Sequence, residues 1–366
     1  MTQLHAPAVP ADFEGVGYTK SRDGFPLEAV KVPVPKPGPD QVLIHVVCSS
    51  LNPLEYKLAQ LNFFGRSPPV VLGFDMAGVV VAVGEGVTRF SVGDAVAAMA
   101  DSNGDGGWAT GGQGGYALAR ECFTASKPGS LSFSDAAALP LCFIAAYLGL
   151  QPNISKGDTV YIPGGGGGVG HLAVQMAART LGAGLVVSSA GGPQSLALAR
   201  ASGAHQVFDY KQEDVAAEID RLTDGRGVDL VFDATYSEKG FVETAAMVRE
   251  GGTWVVLGVG PGKTTRTGET ESPVDAILAE RGARQVNANM LRYFSQPELM
   301  DAAAQAFFGQ AMQAAMAWAL DGRVTPHIGK RIDSGPAEIN AELAAMAAGH
   351  GPVGKVVVNV DRERAA

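Results

Sequence analysis

The sequence predicts a two-domain α/β protein in which a β-rich domain is interrupted by a doubly wound parallel-sheet domain. Three observations predict it. A glycine run, Gly165-Gly166-Gly167-Gly168-Val169-Gly170, follows a strand-like segment and opens a helix-like one. Beyond Leu139-Pro140, strand-type and helix-type segments alternate, the pattern of parallel strands covered by helices. Before that point, short Val-, Ile- and Ala-rich runs are separated by Pro, Gly and Asp turns instead.

A chain of 366 residues is too long for one core, which stops growing at roughly 250–300 residues. With 46% hydrophobic and 18% charged residues it has the apolar material to fold. Its net charge of -9 repels a phosphate backbone or an anionic membrane surface, which disfavours a nucleic-acid role. The first ten residues lack the basic and apolar segments of a signal peptide, so a soluble, cytoplasmic protein is expected. Cys48, Cys122 and Cys142 have neither metal nor disulfide spacing and read as small buried hydrophobes; a four-cysteine zinc lobe is impossible.

In order along the chain, strands are expected at Gln41 to Cys48, Gly78 to Val83 and Ala95 to Ala98, with Gly93-Asp94 as a turn pair. Asp101 to Gly115 is Gly-rich, either a plain connection or a lid over a cleft. Strands at Thr159 to Ile162, Gly184 to Ser188, Gln206 to Phe208, Val228 to Asp233 and Thr253 to Val259 alternate with helices at His171 to Leu181, Gln194 to Ser202, Val215 to Leu222 and Phe241 to Val248. The tail predicts helices around Pro297 to Leu320 and Pro336 to Ala347, then a strand, Gly354 to Val360, that rejoins the first domain. The domains are placed at 1–140 with 296–366, and at 141–295.

The glycine run carries the chemistry. Glycine permits a tight turn, lets backbone N–H groups approach a pyrophosphate and allows close helix-to-strand packing, while the helix N-terminus favours the anion. Gly165, Gly167, Gly168, Val169 and Gly170 are therefore candidate dinucleotide-binding residues. About 20 residues on, an NAD-binding site places a carboxylate on the ribose 2′-hydroxyl. Here that place reads Ser188-Ser189-Ala190-Gly191. No carboxylate repels a 2′-phosphate, and either serine could donate to it, so NADPH is favoured over NADH.

Further segments share one resemblance: Ser50-Leu51-Asn52-Pro53-Leu54-Glu55-Tyr56-Lys57, Leu72-Gly73-Phe74-Asp75-Met76-Ala77-Gly78, Val92-Gly93-Asp94, Leu198 to Ala204, Val231-Phe232-Asp233 and Gly354-Lys355-Val356-Val357. With the glycine run they resemble, in order and over nearly the whole chain, the zinc-free quinone oxidoreductases and enoyl reductases of the medium-chain dehydrogenase/reductase superfamily, the zeta-crystallin branch included. The resemblance implies a GroES-like β-rich catalytic domain, a Rossmann cofactor domain and a homodimer joined through sheet edges such as Arg284 to Met290. Where zinc-dependent relatives carry a Cys ligand this chain matches at Asn52, and their Gly-His-Glu reads Gly73-Phe74-Asp75. Neither Asn nor Phe is a usual zinc ligand, so no metal is expected.

By the same resemblance Asn52 and Tyr56 lie beside the nicotinamide, Tyr210 near the 2′-phosphate, Leu257, Gly258 and Val259 along the nicotinamide amide, and Lys355 at the cofactor. Two positions depart from the family pattern: Ser195 where relatives bind the phosphate with Lys, and Ala145 where they place Thr. Tyr210, Lys211 and Arg200 are the possible substitutes. The expected reaction is hydride transfer to a quinone or an α,β-unsaturated carbonyl. Lys57 is the candidate donor to the developing oxyanion, and Tyr56, or solvent, the proton source. Two alternatives stand beside it, an enoyl-thioester reductase and a non-catalytic nucleotide-binding protein of crystallin type. None of the six histidines is assigned chemistry.

Overall fold

The computed structural model describes residues 6–20, 25–62, 65–101, 110–235, 237–257 and 273–365. The chain divides into two compact units, one of Met1–Leu141 with Arg292–Ala366 and the other of Cys142–Leu291.

The first unit contains β1 (Asp12–Tyr18), β2 (Glu28–Pro33), β3 (Gln41–Leu51), β4 (Val70–Val71), β5 (Asp75–Val83), β6 (Ala95–Met99), β7 (Tyr116–Arg120) and β8 (Thr124–Ser126). Its central strand, β3, is buried on both faces because its side chains alternate between two apolar clusters. Val42, Ile44 and Val46 pack with Met76, Val80 and Val96, whereas Leu43 packs with Phe13, Val30, Val71 and Leu118. At ~1.5–3 kcal/mol for each fully buried Val, Leu or Ile, such a strand anchors the unit.

Two strands are longer than their local sequence suggests. β3 runs on to Leu51 and β5 starts at Asp75, not Gly78. The cause is pairing with distant chain: Ser50 faces Asp75 across the β3–β5 ladder, and Asp75 faces Met99 on β6.

The second unit contributes β9 (Thr159–Pro163), β10 (Leu185–Ala190), β11 (Gln206–Asp209), β12 (Val228–Asp233), β13 (Val248–Val256) and β14 (Arg284–Asn287). All pair in parallel, in the order β11-β10-β9-β12-β13-β14. This is the doubly wound order, with its switch point between β9 and β12, where such sheets hold ligands at the carboxyl ends of the strands. Its core joins Tyr161, Val187, Phe208, Val231, Trp254 and Leu278.

The chain then returns to the first unit with a 19-residue helix, Ala302–Leu320. This helix begins later than the expected Pro297. Pro297–Leu299 forms a separate 3-10 turn, and the Asp301 side chain caps the helix by accepting from the Ala304 N–H. β15 (Ile328–Asp333) and β16 (Lys355–Asn359) follow, and β16 pairs antiparallel with β3, Val356 opposite Leu51. No helix among the described residues is long and apolar enough to cross a membrane.

Candidate active site

In the second unit, β9 ends at Pro163 and the helix Gly170–Arg179 begins seven residues later. The intervening glycine loop is pinned to β10: the N–H groups of Gly164 and Gly165 both donate to the Ser189 carbonyl, at 2.8 and 3.0 Å. Two glycines are required by proximity. A Cβ on Gly165 would stand 2.1 Å from Ser188 Oγ, and one on Gly170 2.1 Å from the Gly164 carbonyl oxygen. The helix therefore packs against the loop as closely as backbone permits. Its cap residue, Val169, makes no side-chain cap hydrogen bond, and in the first turn the His171 N–H donates to the Gly167 carbonyl at 3.1 Å; a helix N-terminus of this kind favours an anion. Gly167 and Gly168 complete a loop without side chains, a fit to a dinucleotide pyrophosphate.

His171 was not assigned chemistry, and the structure finds it a structural post. It is fully buried, and its Nδ1 lies 2.8 Å from the Gly167 carbonyl oxygen. A carbonyl only accepts, so Nδ1 carries the proton. The sequence signal was there, a histidine one residue after the last glycine of the motif.

Ser188 and Ser189 differ from expectation. Ser188 donates to the Ile162 carbonyl at 2.6 Å, and Ser189 shares a 2.8 Å hydrogen bond with the Tyr161 hydroxyl. Both serines are buried, as is Tyr161, whose hydroxyl pKa is raised chiefly by burial. Their hydroxyls thus stitch β9 to β10. Two exposed polar groups lie at this strand end, Tyr210 and Lys211: a Cβ on Gly191 would meet Tyr210 Oη at 2.7 Å and Lys211 Cε at 2.9 Å. The absent side chain at Gly191 lets both lie over the end of β10.

At the end of β12, Asp233 accepts from the N–H and hydroxyl of Thr235 and from the Thr244 hydroxyl, which in turn accepts from the Trp254 indole at 3.0 Å. Burial raises the Asp233 pKa. Leu257 donates its N–H to the Asp233 carbonyl at 3.0 Å, and Gly258 and Val259 lie outside the described residues.

In the first unit the expected residues gather at the helix Pro53–Leu61. Asn52 occupies its N-cap and Pro53 its first turn, where a missing N–H costs nothing. Asn52 is a buried hub and not an outward-facing group. Its Oδ1 accepts from Lys355 Nζ at 2.7 Å and its Nδ2 donates to Asp75 Oδ2 at 2.9 Å. Lys355, 2% exposed, also donates to Asp75 Oδ2 at 3.1 Å and to the Leu51 carbonyl at 3.2 Å. Asp75 accepts in addition from the Ser50 hydroxyl and the Leu141 N–H. Asn52 and Asp75, two of the positions compared above with zinc-dependent relatives, therefore both contact the Lys355 ammonium. Among the described residues no group of three His, Cys, Asp or Glu side chains could hold a metal.

Sequence reasoning missed Glu55. It is fully buried, accepts from the Asn52 N–H at 2.7 Å, and is pushed by burial up to about 7, with Lys355 pulling it down and Asp75 pushing it up. Tyr56 and Lys57 follow on the same helix, both partly exposed, with the Lys57 ammonium 5.9 Å from the Tyr56 ring centre. Burial raises the Tyr56 hydroxyl pKa, which keeps it protonated and able to donate.

Comparison with known proteins agrees with this arrangement. Residues 38–129 match the family described as "Alcohol dehydrogenase GroES-like domain" and residues 168–302 the one described as "Zinc-binding dehydrogenase". The structure of an alcohol dehydrogenase superfamily protein from Novosphingobium aromaticivorans superposes with a TM-score of 0.79 at 30% identity, covering 96% of this chain and 100% of that one. The chain therefore belongs to the medium-chain dehydrogenase/reductase superfamily, the alcohol dehydrogenase superfamily in its broad sense.

Two curated relatives refine the comparison. A 2-methylene-furan-3-one reductase from Solanum lycopersicum is 36% identical over 257 residues, 68% of this chain and 63% of that protein. An NADPH-dependent alkenal/one oxidoreductase, chloroplastic, from Arabidopsis thaliana is 35% identical over 254 residues, 68% of this chain and 61% of that protein. The chain thus spans less than two thirds of the length of either relative.

Proposed function

We propose that this protein is a zinc-independent, NADPH-dependent reductase that delivers a hydride to an α,β-unsaturated carbonyl or a quinone. The observation that carries this reading is the side-chain-free glycine loop, pinned at the switch point of a doubly wound sheet by Ser189, Gly164 and His171. Such a loop has no use in a sheet that binds nothing, since a run of glycines costs conformational entropy. The two relatives act, by their names, on an enone and on alkenals or alkenones, which supports a conjugated carbonyl as acceptor.

A bound nicotinamide supplies the hydride; the chain's residues do the rest. The loop from Gly165 to Gly170 would cradle the pyrophosphate, its glycines allowing close backbone approach and the helix N-terminus favouring the anion. Tyr210 and Lys211 would take the 2′-phosphate, a role left to them because Ser188 and Ser189 bond within the sheet. Hydride addition at the β-carbon of an enone puts negative charge on the carbonyl oxygen, and a donor placed there lowers the barrier. Lys57 is that donor in our reading, and Tyr56, held protonated, delivers the α-proton. Asn52 and Lys355 support the helix that carries both, and Lys355 pairs with the buried Asp75 carboxylate. A homodimer would use β14, which ends the six-stranded sheet.

The deciding experiment follows NADPH or NADH oxidation by the purified protein with a 2-alkenal, a cyclic enone, a naphthoquinone and a crotonyl thioester. Oxidation of NADPH with an alkenal or enone, and little with NADH, is the expected result. Turnover of the quinone or thioester alone would move the substrate class. Failure to bind either nucleotide would overturn the enzyme reading.

A further inference from the structure

The helix Pro53–Leu61 packs inward through Glu55, Leu58 and Ala59, an i, i+3, i+4 stripe in which the first position is a carboxylic acid. Capping alone does not account for this choice, because a Glu in the first turn can reach back to the N-cap amide from the solvent side. Here it sits fully buried, where a carboxyl group needs compensation. The compensation is specific. Its Oε2 takes the Asn52 N–H at 2.7 Å, and its Oε1 faces Asn52 Nδ2 at 3.4 Å and the Phe74 N–H at 3.5 Å. One side chain thus touches both the helix start and the segment that enters β5.

We propose that Glu55 is a positioning residue for the reduction: by clamping the Asn52 and Phe74 amides together it fixes the rotation of the helix, and with it the direction in which Tyr56 and Lys57 project. An α-helix turns about 100° per residue, so an inward anchor at Glu55 sends the next two side chains away from the core. The proposal rests on the reading of Tyr56 and Lys57 as the groups that act on the substrate. The charged groups that face the carboxyl are Lys355, Asp75 and Arg66, and its protonation near neutrality would switch one acceptor of the clamp into a donor. The pH profile of the reaction then reports the clamp.

The test compares wild type, Glu55→Gln and Glu55→Asp as full-length proteins with NADPH bound. Expected for Glu55→Gln is a ~10- to 100-fold fall in kcat with KM for NADPH unchanged, since a small misplacement near the reacting atoms has effects of that order. Wild type is expected to show an inflection of kcat near pH 7, which should flatten in the variant. Hydrogen exchange at the Asn52 and Phe74 amides, which needs no turnover, should quicken in both variants while the core strands stay protected. Equal losses in kcat, nucleotide affinity and global protection would mean a merely structural role, as would failure of both variants to fold, and either overturns the proposal. Unchanged exchange and kcat overturn it too. If wild type itself reduces no acceptor, the catalytic reading fails, and the exchange experiment still decides whether the clamp exists.

Discussion

Lys355 Nζ stands 2.7 Å from Asn52 Oδ1, so the first residue of the last strand holds the cap of a helix 303 positions earlier. The same ammonium pairs with Asp75, at 2% and 0% side-chain exposure. Removing one member of a buried pair leaves an uncompensated charge, and Lys355→Met is expected to lower the unfolding free energy by ~3–5 kcal/mol. Chemical denaturation measures it. Adding Asp75→Asn should restore part of the loss, and a strictly additive double variant would show that the two do not interact.

Glu55 sets a pH dependence of stability with a definite sign. Its carboxyl moves from the ordinary 4.5 to about 7 in the folded chain. Below pH 4.5 folded and unfolded states both hold the proton; between 4.5 and 7 only the unfolded state releases it, so this contribution is lost as pH rises to about 7 and is level above. The stability difference between wild type and Glu55→Gln should therefore shift against wild type across that window, by up to ~3 kcal/mol at about 1.4 kcal/mol per pKa unit. A difference that stays constant from pH 4.5 to 7 would contradict the raised value.

Gly165→Ala and Gly170→Ala insert a methyl group 2.1 Å from Ser188 Oγ and from the Gly164 carbonyl oxygen respectively. Relieving such overlaps costs ~1–3 kcal/mol of stability. Because the loop must shift, nucleotide affinity should fall further than stability does. Titration of NADPH by fluorescence, beside a melting curve, separates the two, and wild-type affinity in either variant would remove the loop from the binding site.

Tyr210→Phe and Lys211→Ala test the 2′-phosphate assignment. Each is expected to weaken NADPH by ~5- to 10-fold, about 1 kcal/mol for a partly exposed contact to a charged group, and to leave NADH nearly unchanged. The ratio of the two affinities is the measurement. Equal effects on both nucleotides would argue that neither residue meets the phosphate.

Thr244→Val removes the hydroxyl that joins Trp254 to Asp233. Leaving a buried indole N–H without its acceptor costs ~1–3 kcal/mol, readable as a lowered melting temperature.

Much of the fold was legible because its signals are local. The strand–glycine–helix passage at 159–179 is written in adjacent residues, and the alternation after it reports a buried parallel sheet. Errors fell where distant chain decided the outcome. β3 reaches Leu51 because β16 pairs with it, and no local pattern at 49–51 announces a partner more than 300 residues away. The candidate site was legible in the same uneven way. Tyr56 and Lys57, proposed from a motif, lie partly exposed on the helix Pro53–Leu61. Ser188 and Ser189 sit where a motif puts cofactor contacts, yet the carbonyl of Ile162 and the hydroxyl of Tyr161 claim them.

The sequence by itself determined the class of fold, the position of the glycine loop and the family, because glycine spacing, strand alternation and short motifs act over a few residues. Tertiary structure alone decided which polar groups are left for a ligand. Whether Asn52, Ser188 or Lys355 faces outward depends on partners brought together by sheet pairing across the whole chain, and a buried donor or acceptor takes the partner that folding supplies.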